Sequence, residues 1–179
     1  MTSRQDLRIR YYPDPVLLKR AQEVPEVTEE IRDNVQQMLR IMYQEGGIGL
    51  AGPQVGWLER LFVMNLTGDP EQAEEERVFI NPVVTHPVEE GTAEEGCLSF
   101  PEIRVQVTRP EQVHVAALGL DGEPFQLQAE GMLARCIQHE VDHLDGILFL
   151  HRISITTKLG IRKSLKELER KYKEERQAG

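Results

Sequence analysis

Two histidines stand four residues apart in QHEVDHL (138–144), with a glutamate directly after the first. On a helix, positions i and i+4 share a face, so the imidazoles of His139 and His143 can reach one ion about 2 Å from each nitrogen. Glu140 lies beside them, within reach of a water that such an ion would activate. Five residues thus offer two ligands and a general base. The bland alternative is a surface histidine pair with an ordinary glutamate between. It fits poorly, because Ile137, Val141 and Leu144 give the same segment an apolar side, and buried imidazoles and carboxylates need compensating partners.

A third ligand must come from elsewhere. Metzincin proteases continue the motif with a glycine and a further histidine; here Gly146 falls in place, but Phe149 occupies the histidine position. His151 comes two positions late. Glu167 and Glu169, candidates on the gluzincin pattern, sit in a charge-rich surface repeat. Cys136 precedes His143 by seven residues, about 10.5 Å of helix rise, so these two and His139 cannot meet at one ion. It suits a pocket wall or plain core packing. Cys97, in EEGCLSFP, follows Gly96, which admits a close backbone, and precedes Leu98-Ser99-Phe100, whose strand character could hold the thiol beside the helix. Cysteine is commonly a small buried hydrophobe, but two imidazoles lacking a partner tip the reading toward ligation. A thiolate and two imidazoles leave a fourth position open for water, as catalytic sites require. Spacing alone does not separate zinc from iron, and composition favours zinc.

These side chains need elements to hold them. In TEEIRDNVQQMLRIMYQEGG, Ile31, Val35, Met38/Leu39 and Met42 recur at helical spacing, with Thr28 as N-cap and Gly46-Gly47 as stop. A glycine-rich link, GGIGLAGPQVGW, leads into five apolar, β-branched runs: RLFVMNL, RVFINPVV, IRVQVTR, EQVHVAAL and PFQLQAE. They read as mostly antiparallel strands, with a hairpin turn at LDGE (120–123) and an exposed acidic loop at TGDPEQAEEE. A second helix is predicted over 131–145. A third starts near Thr157, with Ile161, Leu165, Leu168 and Tyr172 as its apolar stripe. Helix, strands, helix, helix is the order of an α+β domain, not of a βαβ sheet.

Bulk properties narrow the function. A chain of 179 residues with 40% hydrophobic and 28% charged residues suits one domain spanning 1–179. A net charge of −9 argues against DNA binding, which needs basic surface. From Lys158 onward, however, eight basic residues face four acidic ones, so about 157–179 forms a basic tail on an acidic body. The opening, MTSRQDLRIRYYPDP, lacks the apolar stretch of a signal peptide, and no run of eighteen apolar residues occurs. The expectation is a cytoplasmic protein that does not enter a membrane. Two cysteines are too few for a disulfide framework.

Together, GIGLAGPQVG (47–56), EGCLS (95–99) and QHEVDHL (138–144), in this order and over nearly the whole chain, resemble the three motifs of bacterial-type, iron-dependent peptide deformylases. The resemblance implies a metallohydrolase that removes the formyl group from N-formylmethionyl nascent polypeptides and releases formate, rather than an endopeptidase. It assigns the metal to Cys97, His139 and His143, and acid-base catalysis to Glu140. It gives oxyanion donation to the Gln54 side-chain amide and the Leu98 backbone N–H. Ile48 and Gly49 on one side and Gly96 on the other become the edges along which an extended peptide pairs. Arg104 faces the downstream peptide, and Cys136 lines the pocket. Fe2+ is the implied native ion, with Ni2+, Co2+ or Zn2+ as substitutes. The implied fold sets the motif-bearing helix centrally among antiparallel β-sheets, between an N-terminal and a C-terminal helix. For the basic C-terminal helix the resemblance implies a partner, the ribosome near its tunnel exit. One departure stands out: the family usually has alanine where this chain has Gly52, which is expected to loosen the loop and shift Gln54.

Overall fold

Thr28 takes an extended conformation just ahead of helix α1 (Glu29–Gln44), and its hydroxyl accepts the Ile31 N–H at 3.3 Å. That satisfies one of the donors a helix start leaves free. The buried side chains of α1 are Ile31, Asn34, Val35, Met38, Leu39 and Met42, so the apolar stripe read from spacing is the face that packs. The computed structural model describes residues 7–178. The expected span of 1–179 and the opening segment extend to residues 1–6 and 179, which lie outside the described residues.

Strands β1 (Gly49–Ala51), β2 (Leu61–Met64), β3 (Arg77–Cys97), β4 (Phe100–Leu118) and β5 (Pro124–Glu130) form one antiparallel sheet in chain order. Helix α2 (Gly131–Leu144) follows directly, then α3 (Ile155–Gly160) and α4 (Arg162–Ala178). The class is α+β as expected, but the expected plural sheets are one sheet. IRVQVTR and EQVHVAAL are also a single strand. Pro110, which looks like a break in sequence, pairs with Glu90 of β3 just beyond the point where β5 stops pairing at Gln112. That stretch of β4 has one open edge, where a missing N–H costs no ladder bond. Its partner β3 absorbs irregularity as register shifts between Ile80/Val83, Thr85/Val88 and Gly96/Cys97. Part of the glycine-rich link is a strand too, because Gly49–Ala51 pair with Phe62–Met64 at the sheet edge.

All four residues of β2 are buried. Leu61 and Val63 pack with Met38, Met42 and Leu50 in a core under α1, whereas Phe62 and Met64 pack with Phe79, Val113, Val115 and Ile137 in a core under α2. Alternation sends neighbours to opposite faces, and here each face has its own helix. Each fully buried Phe or Leu contributes about 1.5–3 kcal/mol. A third cluster joins the end of the β3–β4 hairpin to the C-terminal region through Phe100, Val105, Val107, Phe149 and Leu168. The tail expected as one helix from about 157 is two, parted at Ile161 next to Gly160, the weakest helix former in the segment. Ile161, Leu165 and Leu168 reach the third cluster.

Candidate metal centre

Helix α2 carries two adjoining buried stripes. One holds Arg135, His139 and Asp142, the other Cys136, Glu140 and His143, each at i, i+4, i+7 spacing. The helix packs on the sheet, and the segment after it adds Phe149 beside His139 and Arg152 on Asp142, so even its charged residues are buried. His139 and His143 bring their Nε2 atoms to 3.2 Å.

The sulfur arrives from the tip of the longest hairpin. Leu98 and Ser99 form the turn between β3 and β4, and Cys97 is the last residue of β3. Leu98-Ser99 is therefore a turn and not the strand expected from its residues; β4 starts at Phe100. Cys97 Sγ lies 3.3 Å from His143 Nε2, and the ligand atoms of Cys97, His139 and His143 all lie within 4.8 Å of one another. Bonds of about 2.0–2.3 Å at tetrahedral angles separate ligand atoms by roughly 3.3–3.6 Å, so the trio fits a divalent cation. One sulfur and two imidazoles leave a fourth direction open.

Glu140 fits the same purpose. Its Oε2 is buried with no protein partner, and burial pushes its carboxyl up to about 7. Gly49 of β1 makes room for it, since a Cβ there would stand 2.5 Å from Glu140 Oε1 and 3.0 Å from Cys136 Sγ. The Cys136 thiol is itself pushed up by burial and stays neutral.

Beyond Glu140 a cleft of about 540 Å³ opens. Its walls include Ile48, Gly49, Gln54, Gly96, Cys97, Leu98, Arg104, Cys136, His139 and Glu140, so of the site residues that the family resemblance implies, all but His143 border this one cavity. His143 lies behind the others, 1% exposed. Burial lowers its pKa well below the ordinary value, which keeps the ring neutral and able to ligate. Gln54 is fixed at both ends of its amide: Oε1 accepts the Ala51 N–H at 2.9 Å, while Nε2 donates to Ser99 Oγ at 3.3 Å and lies 3.5 Å from Cys97 Sγ. Its backbone carbonyl accepts the Arg10 N–H at 2.7 Å. Gly52 lies where the chain packs tightly. A Cβ there would meet the carbonyl oxygens of Trp57 and Glu59 at 2.6 and 2.7 Å, so its lack of a side chain lets two backbones close up. Arg104 stands at the rim, mostly exposed, with Glu94 at 3.8 Å. The alternative ligands lie elsewhere: His151 bonds within its own turn at Leu148, Glu169 accepts from Tyr12, and Glu167 binds Arg170.

Residues 6–158 match the sequence model of the family described as polypeptide deformylase. The chain belongs to the polypeptide deformylase family. A peptide deformylase of Neisseria gonorrhoeae is 48% identical over 164 residues, covering 92% of this chain and 96% of that one. One from Acidobacterium capsulatum is 45% identical over 159 residues, covering 89% and 93%. Among solved structures, the peptide deformylase of Plasmodium falciparum superposes with a TM-score of 0.90 at 38% identity, over 93% of this chain and 97% of that one. That of Legionella pneumophila gives 0.85 at 38% identity, over 92% and 95%.

Sequence reasoning missed what holds the site in this deformylase from behind. Glu95 is two residues before Cys97 on β3, so both side chains face α2. Its Oε2 lies 3.0 Å from His139 Nδ1, and Arg109 of β4 grips it with two bonds of 2.6 and 3.0 Å. Burial alone would raise the Glu95 carboxyl, but His139 and Arg109 outweigh it and hold the pKa down at about 2. Arg109 also donates to Asp142 at 2.8 Å, and Asp142 accepts two further bonds from Arg152. A signal was present: Arg135 and Asp142 lie seven apart on a helix whose faces are largely apolar, and charges so placed need partners.

Proposed function

We propose that this chain removes the N-terminal formyl group from N-formylmethionyl nascent polypeptides, with Cys97, His139 and His143 holding one divalent ion and Glu140 moving the proton. The observation that carries the reading is the convergence of one sulfur and two imidazole nitrogens beside a buried, unpartnered oxygen of Glu140. A divalent ion supplies Lewis acidity, making water nucleophilic near neutral pH. The resemblance to iron-dependent deformylases supports Fe2+ as the native ion, with Ni2+, Co2+ or Zn2+ as substitutes; one thiolate and two imidazoles do not by themselves choose between them.

The chain's own groups account for the remaining steps. An extended peptide lies along the open edge of β1, pairing with backbone groups of Ile48 and Gly49 and, across the cleft, of Gly96. Cys136 lines the wall beneath its first side chain, and Arg104 meets residues further along. Glu140 takes a proton from the attacking water, whose oxygen bonds to the formyl carbon. The carbonyl oxygen gains negative charge and accepts from the Gln54 amide and the Leu98 N–H. One such donor is worth roughly 2.7–4 kcal/mol of transition-state stabilisation. Glu140 then gives its proton to the amine as the C–N bond breaks, releasing formate and the free N-terminus.

Residues 1–179 act as a single catalytic unit, because α4 packs into the third core cluster through Leu168. Lys158, Arg162, Lys163, Lys166, Lys171 and Lys173 stay exposed, a basic surface suited to the ribosome near its tunnel exit. The acidic body disfavours DNA, and no helix among the described residues is long and apolar enough to cross a membrane. A cytoplasmic site of action agrees with that substrate.

Formate release from formyl-Met-Ala, measured anaerobically with Fe2+, tests the reading. The parent chain is expected to turn over. Glu140→Gln is expected to keep its metal and lose about 10²–10⁴-fold in rate. No formate from a metal-loaded parent, or an unimpaired Glu140→Gln, overturns it.

A further inference from the structure

Arg135 has no part in the reaction just described, yet it is 6% exposed and makes more polar contacts than any ligand. It sits one helical turn before His139, and both grip the same carboxylate: Arg135 Nη1 donates to Glu95 Oε1 at 2.9 Å, and His139 Nδ1 lies 3.0 Å from Glu95 Oε2. The same Nη1 donates to the Val107 carbonyl of β4 at 2.8 Å, and Nη2 donates to the Gly91 carbonyl of β3 at 2.9 Å. One guanidinium therefore ties α2 to both strands of the hairpin whose tip carries Cys97. It also borders the cleft.

We propose that Arg135 is a positioning residue of the metal centre, acting through Glu95 to fix the ring of His139 and through the two carbonyls to set the distance between that ring and the Cys97 sulfur. Arg109 already binds both oxygens of Glu95, so Arg135 is not needed to keep the carboxylate paired. Arg109 reaches α2 only at its far end, through the Asp142 carboxylate. Arg135 is itself part of the helix, one turn before His139, and ties Glu95 to it directly. A lysine has the charge and most of the reach, but its single nitrogen cannot hold a carboxylate and two carbonyls in the planar fork that five fixed donors allow.

The inference rests on Cys97, His139 and His143 being the ligands, and the experiment separates the two. Parent, Arg135→Lys and Arg135→Gln are loaded with Co2+; visible absorption reads ligand geometry, and chelator-driven release reads how firmly the ion is held. Thermal unfolding of each chain is recorded alongside, and formate release is resolved into kcat and KM. Expected for both variants is a changed Co2+ spectrum, with release faster by about 10- to 100-fold, the usual effect of losing an outer partner of a ligating histidine. kcat should fall, with KM little altered. In the Glu95→Gln background the Arg135→Lys change should have a smaller effect on release than in the parent, because the two act in series. A parent spectrum without a thiolate-to-metal band overturns the ligand assignment and this inference with it. A normal parent, with variants whose spectrum and release match it at any unfolding temperature, overturns this inference alone. So does full additivity with Glu95→Gln.

Discussion

Two arginines in this molecule each bridge two carboxylates, with bonds of similar length. Arg109 lies 2.6 Å from Glu95 and 2.8 Å from Asp142; Arg170 of α4 lies 2.6 Å from both Glu167 and Glu174. The Arg109 side chain is 3% exposed and that of Arg170 56%. Equal lengths conceal unequal consequences. In water an arginine and two glutamates lose little when parted, since solvent screens and replaces each bond. In the interior behind α2 no solvent stands in, so removing Arg109 leaves Glu95 to Arg135 and His139, and Asp142 to Arg152, with the bonds that Arg109 made unreplaced. The buried trio therefore sets where His139 points, whereas the exposed trio supports one helix surface.

Variants can sharpen or break that contrast. The largest effect is expected from Arg109→Ala, which leaves Glu95 and Asp142 buried without their shared cation. About 3–5 kcal/mol should be lost in urea unfolding, and a loss below about 1 kcal/mol would put this network in the same class as a surface pair. Asp142→Asn keeps the shape but removes the charge facing Arg109 and Arg152. Hydrogen bonds to charged groups contribute about 1.5–3 kcal/mol, and the loss should fall in that range by the same measurement. Gly52→Ala probes backbone against backbone on the cleft side. The Trp57 and Glu59 carbonyls must give way, so roughly 1–2 kcal/mol of stability should go, and formate release should show a lower kcat as Gln54 shifts. Unchanged stability there would mean that the 57–59 segment yields freely. Arg170→Ala should leave the unfolding temperature where it was, and a clear drop would contradict the reading of α4.

The cleft side of the site was legible in the sequence because its residues come in short runs whose chemistry is local. Two histidines and a glutamate within five positions, glycines around Gln54, and a cysteine after Gly96 each announce a constraint. Glu95, Arg109, Arg135 and Asp142 are spread over three elements; Arg135 and Asp142 signal a need for partners, but Glu95 and Arg109 look like ordinary surface charge until β3 and β4 are paired and α2 is laid against them. The strand boundaries failed for a related reason. Pro110 reads as a break, but pairing between β3 and β4 overrides local preference. At Gly52 the sequence pointed only to backbone freedom, whereas the structure adds the close approach of the Trp57 and Glu59 carbonyls, which no local pattern announces.

The central claim is a three-point grip on one ion by the sulfur of Cys97 and the imidazoles of His139 and His143. X-ray absorption of the metal-loaded chain reads that grip directly. The expected result is one sulfur scatterer at about 2.3 Å and two imidazole nitrogens at about 2.0–2.1 Å, with the sulfur shell absent in Cys97→Ser. A metal-loaded chain with no sulfur shell, or with one that survives the Cys97→Ser change, would contradict it.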